Sequence, residues 1–410
     1  KFHDGAEMTS ADVIATFTRI LNPDTKAAAA SNYASISKMD APDDYTVVFT
    51  LSQSDVPLLT ALTSTNAAIV PAAMAKSGDF TSTADGTGPF KLTSWTPDQT
   101  TELAANADWW NGKPGVDGIE IRIIPDETSI VAALRAGTVD FAQLNDPLVA
   151  TQLEGDATVQ LNKVATLSYN VLQLNAANAP LDKLEVRQAM SCAIDRQQVL
   201  DTAALGEGVV TGPLTQPAYD GTASSLFCAT RDLDKARQLM ADAGMSDGFT
   251  LKMIAANAEP PVALSEAQNI QAQLADINIT VEIESLELNV YVQRWLDADF
   301  DSAIALNGGS PDPYTTYNRY WLKDGRFAKT AGYGDDTLQS LMEQGRAETD
   351  PAKRMDIFTQ LQQHLAETSP WIWIYKGYDY TAQQPFVTGF VPYPNDSLIS
   401  LAKVTLVRPA

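Results

Sequence analysis

The sequence predicts an α/β fold with more than one structural domain. A chain of 410 residues is too long for one small core, and a hydrophobic content of 45% supports several cores. From residue 168 onward, segments with strand character alternate with segments of helical periodicity. This β-α-β rhythm is typical of a parallel or mixed sheet covered by helices.

The opening residues, KFHDGAEMTSADVIATF, predict a strand end, a turn and a helix. The pair Asp-Gly is a turn signal, and Thr9 followed by Asp12 forms a weak capping box ahead of apolar residues at helical spacing. His3 also suggests a metal ligand, but the only other histidine is His364, far away in the sequence. We therefore interpret His3 as a structural residue.

Short strands dominate the prediction up to residue 168. The predicted strands are 45–51, 100–106, 119–124 and 139–144, and 86–95 is predicted as a Gly-rich turn that runs into a further strand. The predicted helices are 56–62 and 129–136, the second closed by Gly137.

Longer elements follow. The predicted strands are 168–175, 249–256, 280–288 and 371–378, and the last is apolar on both faces and therefore buried. The predicted helices are 184–205, 232–243, 266–274 and 355–367.

Net charge and cysteine content limit the classes of function that this chain can have. A net charge of −23 and a pI near 4.3 argue against binding nucleic acid or an anionic membrane surface. The sequence has no apolar run long enough to span a bilayer. Because it starts within a predicted strand, we expect that strands and a leader precede Lys1. Cys192 and Cys228 are either two small buried residues or one disulfide.

Motifs for catalysis, metals and cofactors are missing from the sequence. It contains no H-E-x-x-H, G-x-S-x-G, G-x-G-x-x-G or P-loop motif. GTGPF resembles a phosphate loop, but Pro89 removes a donor amide. Asp297, Asp299 and Asp301 resemble a calcium loop, yet Ser302 stands where glycine is required. We predict no catalytic residue, no metal and no cofactor.

Several blocks resemble a known family in the right order. They are the opening segment, GTGPFKLTSW, NADWWNGKPGVDGIEIRIIPDETSIVAALRAGTVD, LDKLEVRQAMSCAIDRQQVL and DLDKARQLMADAGMSDGF. They are similar to extracytoplasmic solute-binding proteins of ABC importers, in the peptide, nickel and opine family, family 5. The resemblance implies a two-lobed periplasmic-binding-protein-like fold (type II, cluster C), joined by two crossings and with an extra subdomain in the first lobe. Its boundaries would be 1–168 for the first lobe, 169–375 for the second and 376–410 for the return.

The same resemblance implies a role and partners. The chain would be a monomer that captures a peptide or other small solute and delivers it to ABC permease subunits. It would be extracytoplasmic and lipid-anchored through a segment outside this chain. Two rival functions are a glycoside hydrolase with two cleft acids and a chemosensory or chaperone-like partner.

The segment ALNGGSPDPYTTY resembles the ligand-binding stretch of the family. In peptide-binding members, an aspartate four residues before its proline holds the amino terminus of the ligand. Counting back from Pro313 gives Gly309, or Ser310 if the alignment slips, and neither is charged. The cleft is thus predicted to be neutral, which favours an uncharged ligand such as an oligosaccharide, or a peptide without an amine anchor. The predicted ligand-binding residues are Tyr33, Trp295, Asn307, Gly308, Gly309, Ser310, Asp312, Tyr314 and Tyr317. Each aromatic has core packing as its alternative role, and Asp312 has turn stabilisation.

Overall fold

The structure, a computed structural model, describes residues 1–78, 80, 83–219, 226–258 and 260–408. Its strands are β1 (Ile36–Asp43), β2 (Thr46–Leu51), β3 (Phe90–Thr96), β4 (Thr100–Ala105), β5 (Gly118–Arg122), β6 (Phe141–Leu144), β7 (Gln160–Ala165), β8 (Tyr169–Leu174), β9 (Val209–Val210), β10 (Phe249–Ala256), β11 (Ile279–Leu286), β12 (Ser302–Asn307), β13 (Trp371–Lys376), β14 (Tyr378–Gln383), β15 (Val387–Thr388) and β16 (Thr405–Leu406).

Its helices are α1 (Ser10–Leu21), α2 (Pro57–Ala61), α3 (Ala72–Ser77), α4 (Glu127–Arg135), α5 (Pro147–Ala150), α6 (Leu184–Ala193), α7 (Arg196–Ala204), α8 (Leu233–Asp242), α9 (Ala263–Leu274), α10 (Leu288–Leu296), α11 (Pro313–Trp321), α12 (Ala328–Ala331), α13 (Asp336–Ala347) and α14 (Pro351–Thr368).

A six-stranded mixed sheet organises the second half of the chain. Its strand order is β11-β10-β12-β8-β13-β9, with β10 parallel to β11 and β12, and β8 antiparallel to β12 and β13. Successive residues of β13 belong to opposite cores: Trp371 and Trp373 pack with α11, α13 and α14, whereas Ile372 and Ile374 pack with α6 to α9. The predicted α/β architecture is confirmed, and so is the buried strand, which spans Trp371–Lys376 and ends two residues before the predicted boundary.

The first lobe is built from smaller units. The antiparallel sheet β6-β14-β7 packs on α4 and α5, the hairpin β1-β2 packs on α1, and β3-β4-β5 form a separate meander. The chain passes between this lobe and the six-stranded sheet after β7 and again after β13. The backbone N–H of Thr166 donates to the carbonyl of Gly377 at 3.1 Å, so these two crossings are hydrogen-bonded side by side.

The predicted helix 184–205 is wrong, because the structure has two helices there. Ile194 and Asp195 adopt extended backbone, and the carboxylate of Asp195 caps α7 by accepting the N–H of Gln198 at 3.0 Å. Arg196 then lies buried and donates to the carbonyl of Trp373 at 2.7 Å. We attribute the interruption between α6 and α7 to this long-range contact with β13. No glycine or proline near residues 194 and 195 indicates the interruption in the sequence.

The opening segment is largely as predicted. Residues 1–2 form no strand, so that part of the prediction is wrong. The N–H of Thr9 donates to the Asp12 carboxylate at 2.8 Å, which confirms that these residues cap α1. The ring Nε2 of His3 lies 3.0 Å from the carbonyl of Gly88, consistent with a structural role.

A disulfide joins the end of α6 to the segment before α8. Cys192 and Cys228 are 36 residues apart in sequence, and their Cα atoms are 5.0 Å apart. Both side chains are buried in the core between α6, α8 and the sheet. Among the described helices, none is long and apolar enough to cross a bilayer.

Candidate functional site

A cavity of about 810 Å³ lies between the two lobes. The first lobe contributes the N-terminal turns of α4 and α5, the start of β14, and Asp396. The second lobe contributes Asn170 of β8, Glu207 after α7, residues 260–262 before α9, and Leu306 of β12. The volume falls in the range of small-molecule sites, and cavities between domains are preferred positions for such sites.

Carboxylates dominate the charged groups of this cavity. The acidic lining residues are Asp126, Glu127, Asp146, Glu207, Asp379 and Asp396. No lysine, arginine or histidine occurs among the described lining residues. The expectation of a neutral cleft is therefore wrong for this cavity, because acids distant in sequence converge on it.

Four of the six carboxylates accept backbone N–H groups or pair with a lysine. Asp126 and Asp146 cap α4 and α5, respectively, by accepting backbone N–H groups of the first turn at 2.9 and 2.8 Å. Glu127 accepts the two backbone N–H groups that precede α5 at 2.8 and 3.0 Å. Glu207 pairs with Lys163 at 2.8 Å and so connects the lobes. The protein itself therefore supplies hydrogen-bond or ion-pair partners for these four carboxylates.

Asp379 and Asp396 form a carboxyl pair in the cavity wall. The Oδ2 atom of Asp379 is buried and has no hydrogen-bond donor among the described residues. Burial, reinforced by the charge and hydrogen bonding of Asp396, raises the pKa of Asp379 to about 7. The hydroxyl of Thr166 donates one hydrogen bond to Asp379 but leaves this Oδ2 without a partner, so the adjacent carboxyls are stabilised by a proton or another cation between them.

Asn170 presents a further acceptor to the same cavity. Its side chain is 5% exposed, and its Oδ1 has no donor within the described part of the chain. Asn170 pairs in register with Tyr375 of β13, four residues before Asp379 along the chain. Because buried amide oxygens are normally hydrogen-bonded, an orphan acceptor here needs an explanation.

A second unusual acid, Glu266, lies behind the wall of the cavity. It is fully buried in α9, accepts a hydrogen bond from the hydroxyl of Tyr375, and leaves Oε2 without a described donor. Burial raises the pKa of Glu266 to about 7. Burial also raises the pKa of its neighbours Tyr375 and Tyr291, so neither tyrosine titrates near neutrality.

The raised pKa of Glu266 predicts a pH-dependent stability. Between about pH 4.5 and 7 the folded protein keeps a proton that the unfolded chain releases, so the free energy of unfolding should fall as pH rises. Glu266→Gln should flatten that slope and be more stable than the parent at pH 8. Urea unfolding midpoints measured from pH 5 to pH 8 would check this.

The exposed Glu282 of β11 offers a matched control for that experiment. Glu282→Gln should keep the slope of the parent protein. Asp379 contributes a second part of the slope, in the same direction, and Asp379→Asn should remove it. Equal slopes for the parent and Glu266→Gln would contradict a protonated buried Glu266.

None of the nine predicted ligand-binding residues lines the 810 Å³ cavity, although their neighbour Leu306 does. Asn307 is buried, accepts the hydroxyl of Tyr320 at 3.3 Å, and has no described acceptor for its Nδ2. The carbonyl of Ser310 accepts from Gln216 at 2.7 Å. Their roles in ligand binding stay predictions.

The two glycines of this segment have different surroundings. A Cβ on Gly309 would lie 2.0 Å from the carbonyl oxygen of Leu167, in the first crossing, so only glycine allows this approach. A Cβ on Gly308 would meet only the distal nitrogen of Arg319, at 4.0 Å. The same nitrogen donates to the carbonyl of Gly308 at 2.6 Å. Packing against the crossing therefore explains Gly309 without any ligand.

Asp312 has a complete set of protein partners. Its carboxylate caps α11 by accepting the N–H of Tyr314 at 2.9 Å. It also forms two contacts with the guanidinium of Arg354, at 2.8 and 3.0 Å, with both residues buried. This geometry corresponds to the turn-stabilising alternative, extended by a buried ion pair that the local sequence does not indicate.

The predicted aromatic residues lie in packed surroundings: Tyr33, Trp295, Tyr314 and Tyr317. Tyr33 is fully buried in the first lobe, and its hydroxyl donates to the carbonyl of Ala61 at 2.9 Å. Tyr317 is fully buried in the second lobe and accepts the indole N–H of Trp373 at 3.1 Å. Core packing, the alternative role for each, accounts for these contacts.

The sequence analysis did not predict the acidic residues that line the cavity. Asp379 and Asp396 belong to the return segment, and Asn170 lies near the start of β8. One usable signal is the polar Asn170 inside the predicted strand 168–175, of which Tyr169–Leu174 is buried along its whole length in the structure. An acid pair among 51 acidic residues carries no comparable signal.

Sequence comparison places these features among known proteins. A family model described as bacterial extracellular solute-binding proteins, family 5 Middle, matches residues 1–328. The oligopeptide-binding protein AppA of Bacillus subtilis is 27% identical over 446 residues, covering 100% of this chain and 79% of the relative. The probable D,D-dipeptide-binding periplasmic protein DdpA of Escherichia coli is 30% identical over 418 residues, covering 96% and 78%.

Solved structures agree over the whole chain. AgaA of A. tumefaciens R10, in complex with agropinic acid, matches with a TM-score of 0.83 and 29% identity, covering 100% of this chain and 86% of that one. AppA of Bacillus subtilis, in complex with a nonapeptide, matches with a TM-score of 0.80 and 26% identity, covering 100% and 85%.

Proposed function

Because this chain belongs to the bacterial extracellular solute-binding proteins of family 5, we propose that it captures a peptide between its lobes for an ABC importer. The observation that carries the proposal is the 810 Å³ cavity with walls from both lobes. The two crossings lie side by side at its base, so a small rotation there would open or close the cavity. A ligand that binds the closed form better than the open form is sufficient to drive closure.

A peptide is favoured over an oligosaccharide for two reasons. AppA and the Escherichia coli relative are named as peptide-binding proteins, and one solved AppA structure holds a nonapeptide. The oligosaccharide alternative depended on a neutral, aromatic cleft, whereas the cavity between the lobes is acidic. The relatives are also named as binding proteins, which supports a role without catalysis.

The proposal includes a location and partners. Members of the family are extracytoplasmic, and we propose a lipid anchor outside this chain, a monomeric state and delivery to permease subunits. We further propose that residues 1–168 and 376–410 move as one lobe against 169–375. Pairing of β14 with β6 and β7 supports the assignment of the return segment to the first lobe.

Ligand-induced stabilisation and compaction would test this function. A mixed-sequence tripeptide library should raise the melting temperature of the purified protein, and small-angle scattering should show a smaller radius of gyration with bound peptide. The trisaccharide maltotriose should do neither. No shift with peptides, or hydrolysis of a bound peptide detected by mass spectrometry, would count against the proposal.

A further inference from the structure

We infer that Asp379, Asp396 and Asn170 form a subsite for a protonated amine, and that the protein selects solutes carrying such a group. This inference rests on the proposed function, because it names the chemical class of the captured ligand. Its position is the wall of the 810 Å³ cavity, beside the two crossings.

Hydrogen-bond acceptors outnumber donors among the charged groups of the cavity. The described lining has six carboxylates and no basic side chain. Four of these carboxylates are satisfied by helix caps, backbone N–H groups or Lys163. The missing donor is at Asp379, because its carboxyl lies within hydrogen-bonding distance of the Asp396 carboxyl and its Oδ2 is buried without a described donor, although the Thr166 hydroxyl also donates to Asp379.

Asn170, a neutral residue on the opposite lobe, adds an unpaired acceptor to the same cavity. Its side chain is 5% exposed, and its Oδ1 lacks a donor in the described structure. An unpaired buried acceptor costs about 1–3 kcal/mol, so its retention at a cavity wall points to a donor supplied from outside. The orphan oxygen is independent of the charge argument and lies on the same cavity.

A protonated amine matches these three groups. An ammonium group has three N–H donors and no acceptor. A hydroxyl group has only one donor, and its oxygen would add another acceptor to a site that already has too few donors. Its positive charge removes the repulsion between the two carboxylates, and its hydrogen bonds to them are charge-assisted. Lys163 shows the same chemistry nearby, since its ammonium contacts the carboxylates of both Glu154 and Glu207.

The segment at Gly309 is not required for this recognition. Gly309 abuts the carbonyl of Leu167, and the N–H of Leu167 in turn donates to the carbonyl of Pro394 at 3.0 Å. Pro394 lies two residues before Asp396, so the crossing that needs glycine also supports the loop that carries the acid. An amine subsite can therefore exist although position 309 is uncharged.

Matched libraries isolate the contribution of the amine. The probe is a mixed-sequence tripeptide library without lysine, arginine or histidine, prepared with free and with acetylated amino termini, together with the diamine putrescine. Peptides retained on the protein are identified by native mass spectrometry, and their affinities are measured by calorimetry. We expect acetylation to weaken binding at least tenfold.

Variants locate the effect. Asp379→Asn and Asp396→Asn should each weaken binding of free-amine peptides at least tenfold and leave acetylated peptides unchanged. The control is Asp350→Asn, which removes an exposed acidic charge outside the cavity while an asparagine still caps α14. Melting temperatures without ligand show whether each variant is folded, and the two acid variants substitute for each other if one is not.

The outcomes separate the inference from the proposed function. Equal binding of acetylated and free peptides, or an equal loss in Asp350→Asn, overturns the amine subsite and leaves peptide capture intact. If putrescine binds but peptides do not, and Asp379→Asn abolishes putrescine binding, the amine subsite is supported and the proposal of peptide capture is contradicted. If neither peptides nor putrescine bind, both the amine subsite and the proposal of peptide capture are contradicted.

Discussion

Replacing Asp312 by alanine is expected to lower the free energy of unfolding by about 3–5 kcal/mol, because it leaves a buried guanidinium without its counter-ion. Arg354 is 9% exposed and makes both of its short carboxylate contacts with Asp312. The same substitution removes the cap of α11. Urea denaturation followed by tryptophan fluorescence would measure the loss.

Asp350 provides the matched control. It caps α14 by accepting two backbone N–H groups at 2.9 and 3.2 Å, but it is exposed and has no buried arginine partner in the described structure. Asp350→Ala should therefore cost about 1 kcal/mol. Adding Arg354→Met to Asp312→Ala should restore part of the stability. If Asp312→Ala costs no more than Asp350→Ala, the ion pair does not stabilise the fold as described.

Removing the disulfide is expected to cost about 4 kcal/mol. Cys192 and Cys228 close a loop of 36 residues, and the entropy of such a loop in the unfolded chain sets the size of the effect. The double variant Cys192→Ala, Cys228→Ala should unfold at a lower urea concentration than the oxidised parent. Alanine is chosen because both positions are buried in an apolar core.

Reduction supplies an independent measurement of the disulfide. Dithiothreitol should move the unfolding midpoint of the parent toward that of the double variant and leave the double variant unchanged. An identical midpoint for the reduced and the oxidised parent would contradict a stabilising disulfide. An oxidising location outside the cytoplasm is where such a bond persists.

The elements of the fold were predictable because their signals are local. The continuous apolar run of β13, capping at Thr9 and the apolar periodicity of α14 are each signals carried by neighbouring residues. The break between α6 and α7 was not predictable, since it depends on Arg196 reaching the backbone of Trp373, 177 residues away. Local propensity alone favours continuing that helix.

The candidate site was much less predictable than the fold. The sequence predicts Gly309 and Asp312 as ligand-binding residues because they lie in a stretch that resembles the family's cleft segment. In the structure, the carbonyl of Leu167 explains the glycine, and Arg354 explains the acid. Both partners are more than 40 residues away in sequence, so no local pattern could have identified them.

The amino-acid sequence alone predicts an acidic α/β chain of this family and most of its helices and strands. That information is local, because periodicity, caps and turns act over a few neighbouring residues. The meeting of Asp379, Asp396 and Asn170 at one cavity became visible only in the folded chain. Their proximity depends on two chain crossings that bring distant segments side by side, and whether a carboxylate has a donor depends on those long-range neighbours.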